Sequence, residues 1–461
     1  MDMKRILFLL AISTILLPIF SVSTKDLSSS MLASNPDIRK AREEVTKAQL
    51  DVRDAKGGYS PTIDLTVTGS YIANPIDPIR INLGDYIDTS MYGIRNDYIT
   101  LYEGQENMYY QFSLSLTQPI FTWGKIANAV KLYQTVYEAR LLQLDDAMDK
   151  AQTELCTRVA ALHYLLEIQN LLEKQTEIAS RLTVLADDAQ KNGMMLATDA
   201  LSVKVQARKL DVAKAQVDQQ VLLMLTEIGN LCGNTELKAT EIEFDERSFN
   251  ALLDKLCKAD YLTLNAKCLS DSRTNFQLLN KLSAVAELAH SIAGASVNWK
   301  PDMALVVNAD YSGSRFPLAE TDWYGKDDWS ATITVALKTT VLDGGKAIRN
   351  VKRTESEVQE ALIDTQSAKA KVRSAVDENW TNLSVNLAQI DYQSALAQQL
   401  DSKIEVQKSL LDTGYGSESD YLQAQLERNN CEIEILRTRI DLATAVYTLL
   451  YLQGDSSKAL D

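Results

Sequence analysis

The chain of 461 residues is poor in what catalysis and metal binding recruit. It holds two histidines, His163 and His290, and five scattered cysteines, Cys156, Cys232, Cys257, Cys268 and Cys431. No nucleophile elbow, phosphate-binding glycine loop or paired metal ligands occur. No catalytic, cofactor-binding or metal-binding residue is therefore assigned, and the chain does not read as an enzyme. Without a C-x-x-C pair or a disulfide framework, most of the cysteines are expected to be free and buried. A Cys257–Cys268 bridge is conceivable, but no pattern supports it. His163, beside Leu162 in a helical seam, reads as a packing residue. Basic residues are also in deficit: the net charge of −15 argues against nucleic acid as a partner, since phosphate binding needs a basic face. Long apolar runs are nearly absent. Ile6 to Phe20 spans about 15 residues, short of the roughly 20 a membrane-crossing helix needs. Lys4 and Arg5 precede this run and Ser21-Val22-Ser23 follow it, which is the pattern of a signal peptide over 1–23, an uncleaved anchor being the alternative. No cysteine precedes Cys156, so none is available for lipid attachment near a mature amino terminus.

Glycine and proline are missing in a more telling way. Lys125 to Asn192 is a run of 68 residues without either, bracketed by Gly124 and Gly193. Leu141, Leu144, Met148, Ala151, Leu155, Val159, Leu162 and Leu166 recur in it at steps of three and four, the stripe of a helix packed along its length. At about 1.5 Å per residue such a helix is roughly 100 Å long. Lys346 to Thr413 repeats the device, again 68 residues between Gly345 and Gly414. A shift of 221 positions carries Lys125 to Lys346, Lys131 to Lys352, Gly193 to Gly414, Asp199 to Asp420 and Leu201 to Leu422. In the second copy Val358, Ala361, Thr365, Ala368, Val372 and Ala375 make a seam of small residues suited to close coiled-coil contact. The chain is a tandem repeat.

Each half reads as helix, strand, loop, strand, very long helix and returning helix. The first repeat covers 24–229, with a helix from Asn35 to Gly57, a β-hairpin over 61–118 and a long helix hairpin over 125–228. An acidic inter-repeat segment fills 230–264, with a short helix near Phe249 to Lys258. The second repeat covers 265–453, with a helix over Thr274 to Ala293, a β-hairpin over 301–339 and a helix hairpin over 346–453; 454–461 is a tail. The region from Ala73 to about Asn107 reads as a polar loop. The strands alternate strictly, with Leu65 and Val67, Leu114, Leu305, Ile333 and Val335 on the apolar faces, taken as lipid-facing. Tyr71, Tyr110, Tyr311 and Trp329 stand near strand ends, where interfacial aromatics belong. Asp302 and Lys338 fall on the polar face. Four such strands cannot close a barrel alone, because backbone groups at an open edge cannot be left in lipid.

At this point the chain resembles the TolC-type outer membrane efflux proteins. The resemblance rests on the opening NPDIRKAREEV, the turn SLTQPIFTWGKI with its relative VALKTTVLDGGKA, and the tips RLTVLADDAQKNGMMLATDALSVKVQA and LLDTGYGSESDYLQAQLE. It covers nearly everything after the signal segment; Thr340 departs, standing where the first turn has Pro119. The resemblance implies a mainly α protomer with a small β part. It also implies a homotrimer with a 12-stranded outer-membrane barrel, a periplasmic α-helical tunnel, and an inner-membrane transporter and periplasmic adaptor as partners. The function it implies is a passive exit duct for efflux or type I secretion in a diderm bacterium, set in outer-membrane lipid.

The resemblance further implies a gate at the helix tips marked by Gly193 and Gly414, with Asp199 and Asp420 lining it and Gln423 standing where a second acid is common. Asp420 carries a rival reading, since Ser417-x-x-Asp420 is a capping box at a helix start. A second reading of the whole chain, a periplasmic coiled-coil scaffold or adaptor with soluble β-hairpins, predicts no need for four amphipathic strands with aromatic ends.

Overall fold

A computed structural model of the chain describes residues 22–86, 98–102, 104–234, 236–297, 299–313 and 329–456. The signal segment up to residue 21 and the end of the tail lie outside the described residues. In chain order the elements are β1 (Val22–Ser23), α1 (Thr24–Ser34), α2 (Pro36–Gly57), β2 (Thr62–Tyr71), β3 (Ile79–Asn82), β4 (Tyr98–Tyr102), β5 (Met108–Phe121) and α3 (Lys125–Lys191). They continue with α4 (Ala197–Cys232), β6 (Ile242–Glu243), α5 (Glu246–Cys257), α6 (Tyr261–Cys268), α7 (Thr274–Ala295), β7 (Asp302–Gly313), β8 (Trp329–Lys338), α8 (Lys346–Asp412) and α9 (Glu418–Gln453). The fold is mainly helical with a small sheet part.

Local chemistry sets the boundaries. Asn35 caps α2, its Oδ1 accepting from the Asp37 and Ile38 amides at 2.9 and 3.2 Å. The two 67-residue helices α3 and α8 end at Gly193 and Gly414, whose φ values of 71° and 77° lie in the left-handed region. Beyond each, the Met194 and Tyr415 amides reach back five residues to the Ala189 and Leu410 carbonyls at 2.8 and 2.9 Å, closing Schellman turns.

The chain divides into two compact units that cut across both repeats. The first holds residues 1–47, 138–282 and 361–461. One core joins Leu27 and Met31 of α1 to Leu155, Val159, Leu162 and Ile168 of α3, Val217, Val221 and Ile228 of α4, and Ile433 and Leu436 of α9. A second joins Cys156 and Ala160 of α3 to Phe249, Leu252 and Leu256 of α5, Leu264 of α6, Val376 and Leu383 of α8, and Leu442, Val446 and Leu449 of α9. The expected α3 stripe packs on the first core, while the residues beside it serve the second. Helix α3 is therefore buried almost all round between Leu155 and Ile168.

The second unit holds residues 48–137 and 283–360. Its sheet runs β2-β5-β7-β8, every pair antiparallel, so the hairpins of the two repeats meet at β5 and β7. Among the described residues, strands β2 and β8 are left as open edges.

Some features went unread in the sequence. The region expected as a polar loop carries β3 and β4, an antiparallel pair with Ile81 opposite Ile99. Residues 87–97 and 103 of that loop lie outside the described residues. Helices α1 and α6 were not anticipated. Val22 and Ser23, assigned to the signal segment, pair in parallel with Ile242 and Glu243, and Ser23 caps α1 in a full capping box with Asp26.

Candidate functional site

The register of the four-stranded sheet sorts its side chains onto two faces. Leu65 lies opposite Leu114 and Val67 opposite Phe112. Leu114 then meets Ala309 and Leu116 meets Val307. Leu305 meets Val335, and Val307 meets Ile333. All six residues read as lipid-facing thus share one continuous apolar face. It is bare in the single chain: Leu65 is 66% and Ile333 77% exposed. At one end of the face the Tyr311 ring lies between Phe112, at 6.1 Å, and Trp329, at 5.1 Å, and is buried by them.

The opposite face carries hydroxyls, amides and carboxylates. The Ser113 hydroxyl donates to Asp310, and the Ser115 hydroxyl donates to Asn308 Oδ1 at 2.7 Å. Asp302, expected on this polar face, is gripped by Lys125 Nζ at 2.9 and 2.8 Å from its two oxygens. That pairing neutralises it locally. Lys338 lies opposite Asp302 in the register and is exposed.

The helix tips belong to the first unit. Asp199 stands in the first turn of α4, whose cap, Leu196, gives no side-chain bond. Asp420 and Gln423 stand three positions apart near the start of α9, and all three side chains are exposed. The capping box read from Ser417 and Asp420 does not close. Ser417 Oγ accepts from the Ser419 amide at 3.1 Å, and no bond returns from Asp420 to the cap. The acid that is engaged is Glu418: Arg181 on α3 donates to its two oxygens from Nε at 2.7 Å and Nη2 at 3.0 Å. This bidentate pair ties the two helix hairpins together and holds the Glu418 carboxyl below its usual range. Sequence reasoning missed it because Arg181 and Glu418 are 237 positions apart.

All five cysteines are free, four of them buried, with Cys257 exposed. Burial pushes the Cys156 thiol up to about 12 and those of Cys232 and Cys268 up to about 11. His163 packs its ring on Tyr164 and Phe244 at 5.2 and 5.1 Å. His290 Nδ1 lies 3.1 Å from the Thr354 hydroxyl. Among the described residues no group of His, Cys, Asp and Glu could hold a metal ion, and no helix is long and apolar enough to cross a membrane.

One chain thus carries an amphipathic four-stranded sheet and two long helix hairpins. The sequence profile of the outer membrane efflux protein family matches residues 27–234. The chain is also 23% identical over 433 residues, 91% of its length and 83% of the relative's, to the outer membrane efflux protein BepC of Brucella suis. Its fold is similar to the outer membrane protein VceC of Vibrio cholerae, with a TM-score of 0.69 at 15% identity over 94% of this chain and 96% of that one. It is also similar to the CmeC outer membrane channel of Campylobacter jejuni, with a TM-score of 0.68 at 15% identity over 94% and 86%. Residues 27–234 of this chain are thus similar to the outer membrane efflux protein family.

Proposed function

We propose that this protein is the outer-membrane channel-tunnel of a tripartite efflux or type I secretion system, working as a homotrimer. The observation that carries the reading is the four-stranded sheet: one face is apolar and exposed, and among the described residues both edges are unpaired. Backbone donors and acceptors at such edges cannot face lipid, whereas three copies joined edge to edge close a 12-stranded barrel and satisfy them all. The face bearing Ser113, Ser115, Asn308 and Asp310 then lines a watery pore, and Leu65, Val67, Leu114, Leu305, Ile333 and Val335 meet the bilayer. The helix hairpins form the periplasmic tunnel, with Gly193 and Gly414 at its tips and Asp199, Asp420 and Gln423 at its entrance. The duct is passive, so an inner-membrane transporter and a periplasmic adaptor supply the energy and the substrate choice.

The test is fractionation with electrophoresis at graded temperature. A heat-modifiable trimer in outer-membrane fractions, co-purifying with a pump and an adaptor, is the expected result. A monomer in the soluble periplasm would overturn the reading in favour of a scaffold.

A further inference from the structure

The two strand-to-helix turns carry the same device. In the first, Ile120 and Phe121 are exposed just ahead of Lys125; in the second, 221 positions on, Val341 and Leu342 are exposed just ahead of Lys346. Val341 and Leu342 are the barer of the two pairs, 85% and 87% exposed. Immediately after them Lys346, Arg349, Lys352 and Arg353 follow with no acid between Asp343 and Glu355. Lys346, Arg349 and Arg353, with Asn350 between them, line one recess of about 490 Å³ on a single helix face. Among the described residues no carboxylate lies within ion-pair distance of these four cations; Arg349 donates only to the Gly344 carbonyl, at 2.9 Å. Nor is this the anion hole of a bare helix end. Asp343 occupies that place, accepting from the Gly345, Lys346 and Ala347 amides. In a chain of net charge −15, four cations without a carboxylate partner among the described residues, beside two bare apolar side chains, suit a partner that is anionic and apolar at once. A carboxylate on a second copy would answer the cations and leave Val341 and Leu342 in water.

We propose that turn 339–345 and the first two turns of α8 bind the phosphate headgroup of an anionic phospholipid, with Val341 and Leu342 inserted among its acyl chains. This rests on the reading of the sheet as part of an outer-membrane barrel, which puts the turn at the periplasmic leaflet. Lysine or arginine at a lipid surface attracts anionic headgroups, and guanidinium forks grip phosphate oxygens in pairs. Close by in the same unit, Lys300 lies over the Trp123 and Trp299 rings at 5.8 and 5.3 Å, a pairing of aromatics and cation suited to the same interfacial depth.

The test uses the full-length protein purified in a neutral detergent and titrated with short-chain phosphatidylglycerol, with phosphatidylcholine of equal chain length, and with inorganic phosphate. Thermal shift and native mass spectrometry give the readout. Phosphatidylglycerol should bind at least about tenfold tighter than phosphatidylcholine. The variant R349Q/R353Q should lose about thirtyfold of that affinity, roughly fivefold per cation, while phosphatidylcholine binding stays put. R349K/R353K should keep most of it, V341S/L342S should weaken both lipids alike, and R208Q/K209Q on α4 should match the unaltered protein. Equal affinity for the two lipids, or undiminished binding by R349Q/R353Q, overturns the proposal. So does competition by inorganic phosphate at equal concentration, which marks a free-anion site. Loss of the oligomer in R349Q/R353Q also overturns it, because the cations then pair with another copy. Fractionation of the unaltered protein tests the barrel separately, so an outer-membrane trimer without lipid discrimination sinks this inference alone.

Discussion

Glu418 and Arg181 show what a single pair contributes at the end of two long helices. Both side chains are open to water, so the pair is screened by salt and acts on local fraying rather than on global stability. Because Arg181 lowers the Glu418 pKa in the folded chain, the contribution is complete above the ordinary carboxylate value of about 4.3 and is lost as pH falls through the lower folded value. Hydrogen exchange at the start of α9 should therefore be faster in Arg181→Gln than in the unaltered protein at pH 7. The two should converge at acid pH, and an unchanged difference there would deny the pair its role. The cysteines give a second residue-scale expectation. Cys156, Cys232 and Cys268 are buried with raised pKa values, so a thiolate-directed reagent at pH 8 should label Cys257 rapidly and those three only after unfolding.

At the scale of elements, legibility followed periodicity. Helices α3 and α8 were plain because 68 residues without Gly or Pro admit little else, and their ends were marked by glycines that the turns need for positive φ. The strands were plain because apolar side chains alternate over ten positions. What stayed hidden was short or made by distant partners. Strands β3 and β4 hold four and five residues in a segment whose polar composition outweighs its brief alternation. Helix α1 carries four serines in its eleven residues and little periodicity. The Ser417 box failed because a hydroxyl at the cap can satisfy the second amide as well as the third, and here the Ser419 amide takes it. Of the candidate site, the apolar strand face was readable; the Lys125–Asp302 and Arg181–Glu418 pairs, made over 177 and 237 positions, were not. The strand assignment is tested face by face. Val335→Arg or Leu65→Arg should cost about 2–4 kcal/mol in refolding into bilayers if these residues lie near the midplane. Thr334→Arg or Thr66→Arg, on the other face, should be tolerated. Equal loss from both faces would mean a sheet packed on each side.

The single chain leaves surfaces that call for neighbours. On α4, Leu201, Val205, Val212 and Leu223 are exposed and fall within an arc of about 40° on a helix of 3.6 residues per turn. On α8, Ile363, Val385, Tyr392, Val406 and Leu410 form a second exposed stripe, while the small-residue seam from Val358 to Ala375 is only half-buried. Stripes along long helices are what further copies of the same helices cover. The trimer that closes the barrel would also repeat Asp199 and Asp420 three times about one axis. Three carboxylates at a narrow entrance repel one another and draw cations in. Asp420→Asn tests this, because it removes the charge while leaving the Ser417 cap and the Glu418–Arg181 pair untouched. With the box shown not to close, little stability should be lost with that carboxylate beyond a few tenths of a kcal/mol from the helix dipole. In planar bilayers the Asn variant should therefore form trimers of unchanged thermal stability, with altered single-channel conductance and weaker block by multivalent cations. Unaltered conductance and block, together with a measurable drop in stability, would leave the tunnel standing but return Asp420 to a purely structural place at the head of α9.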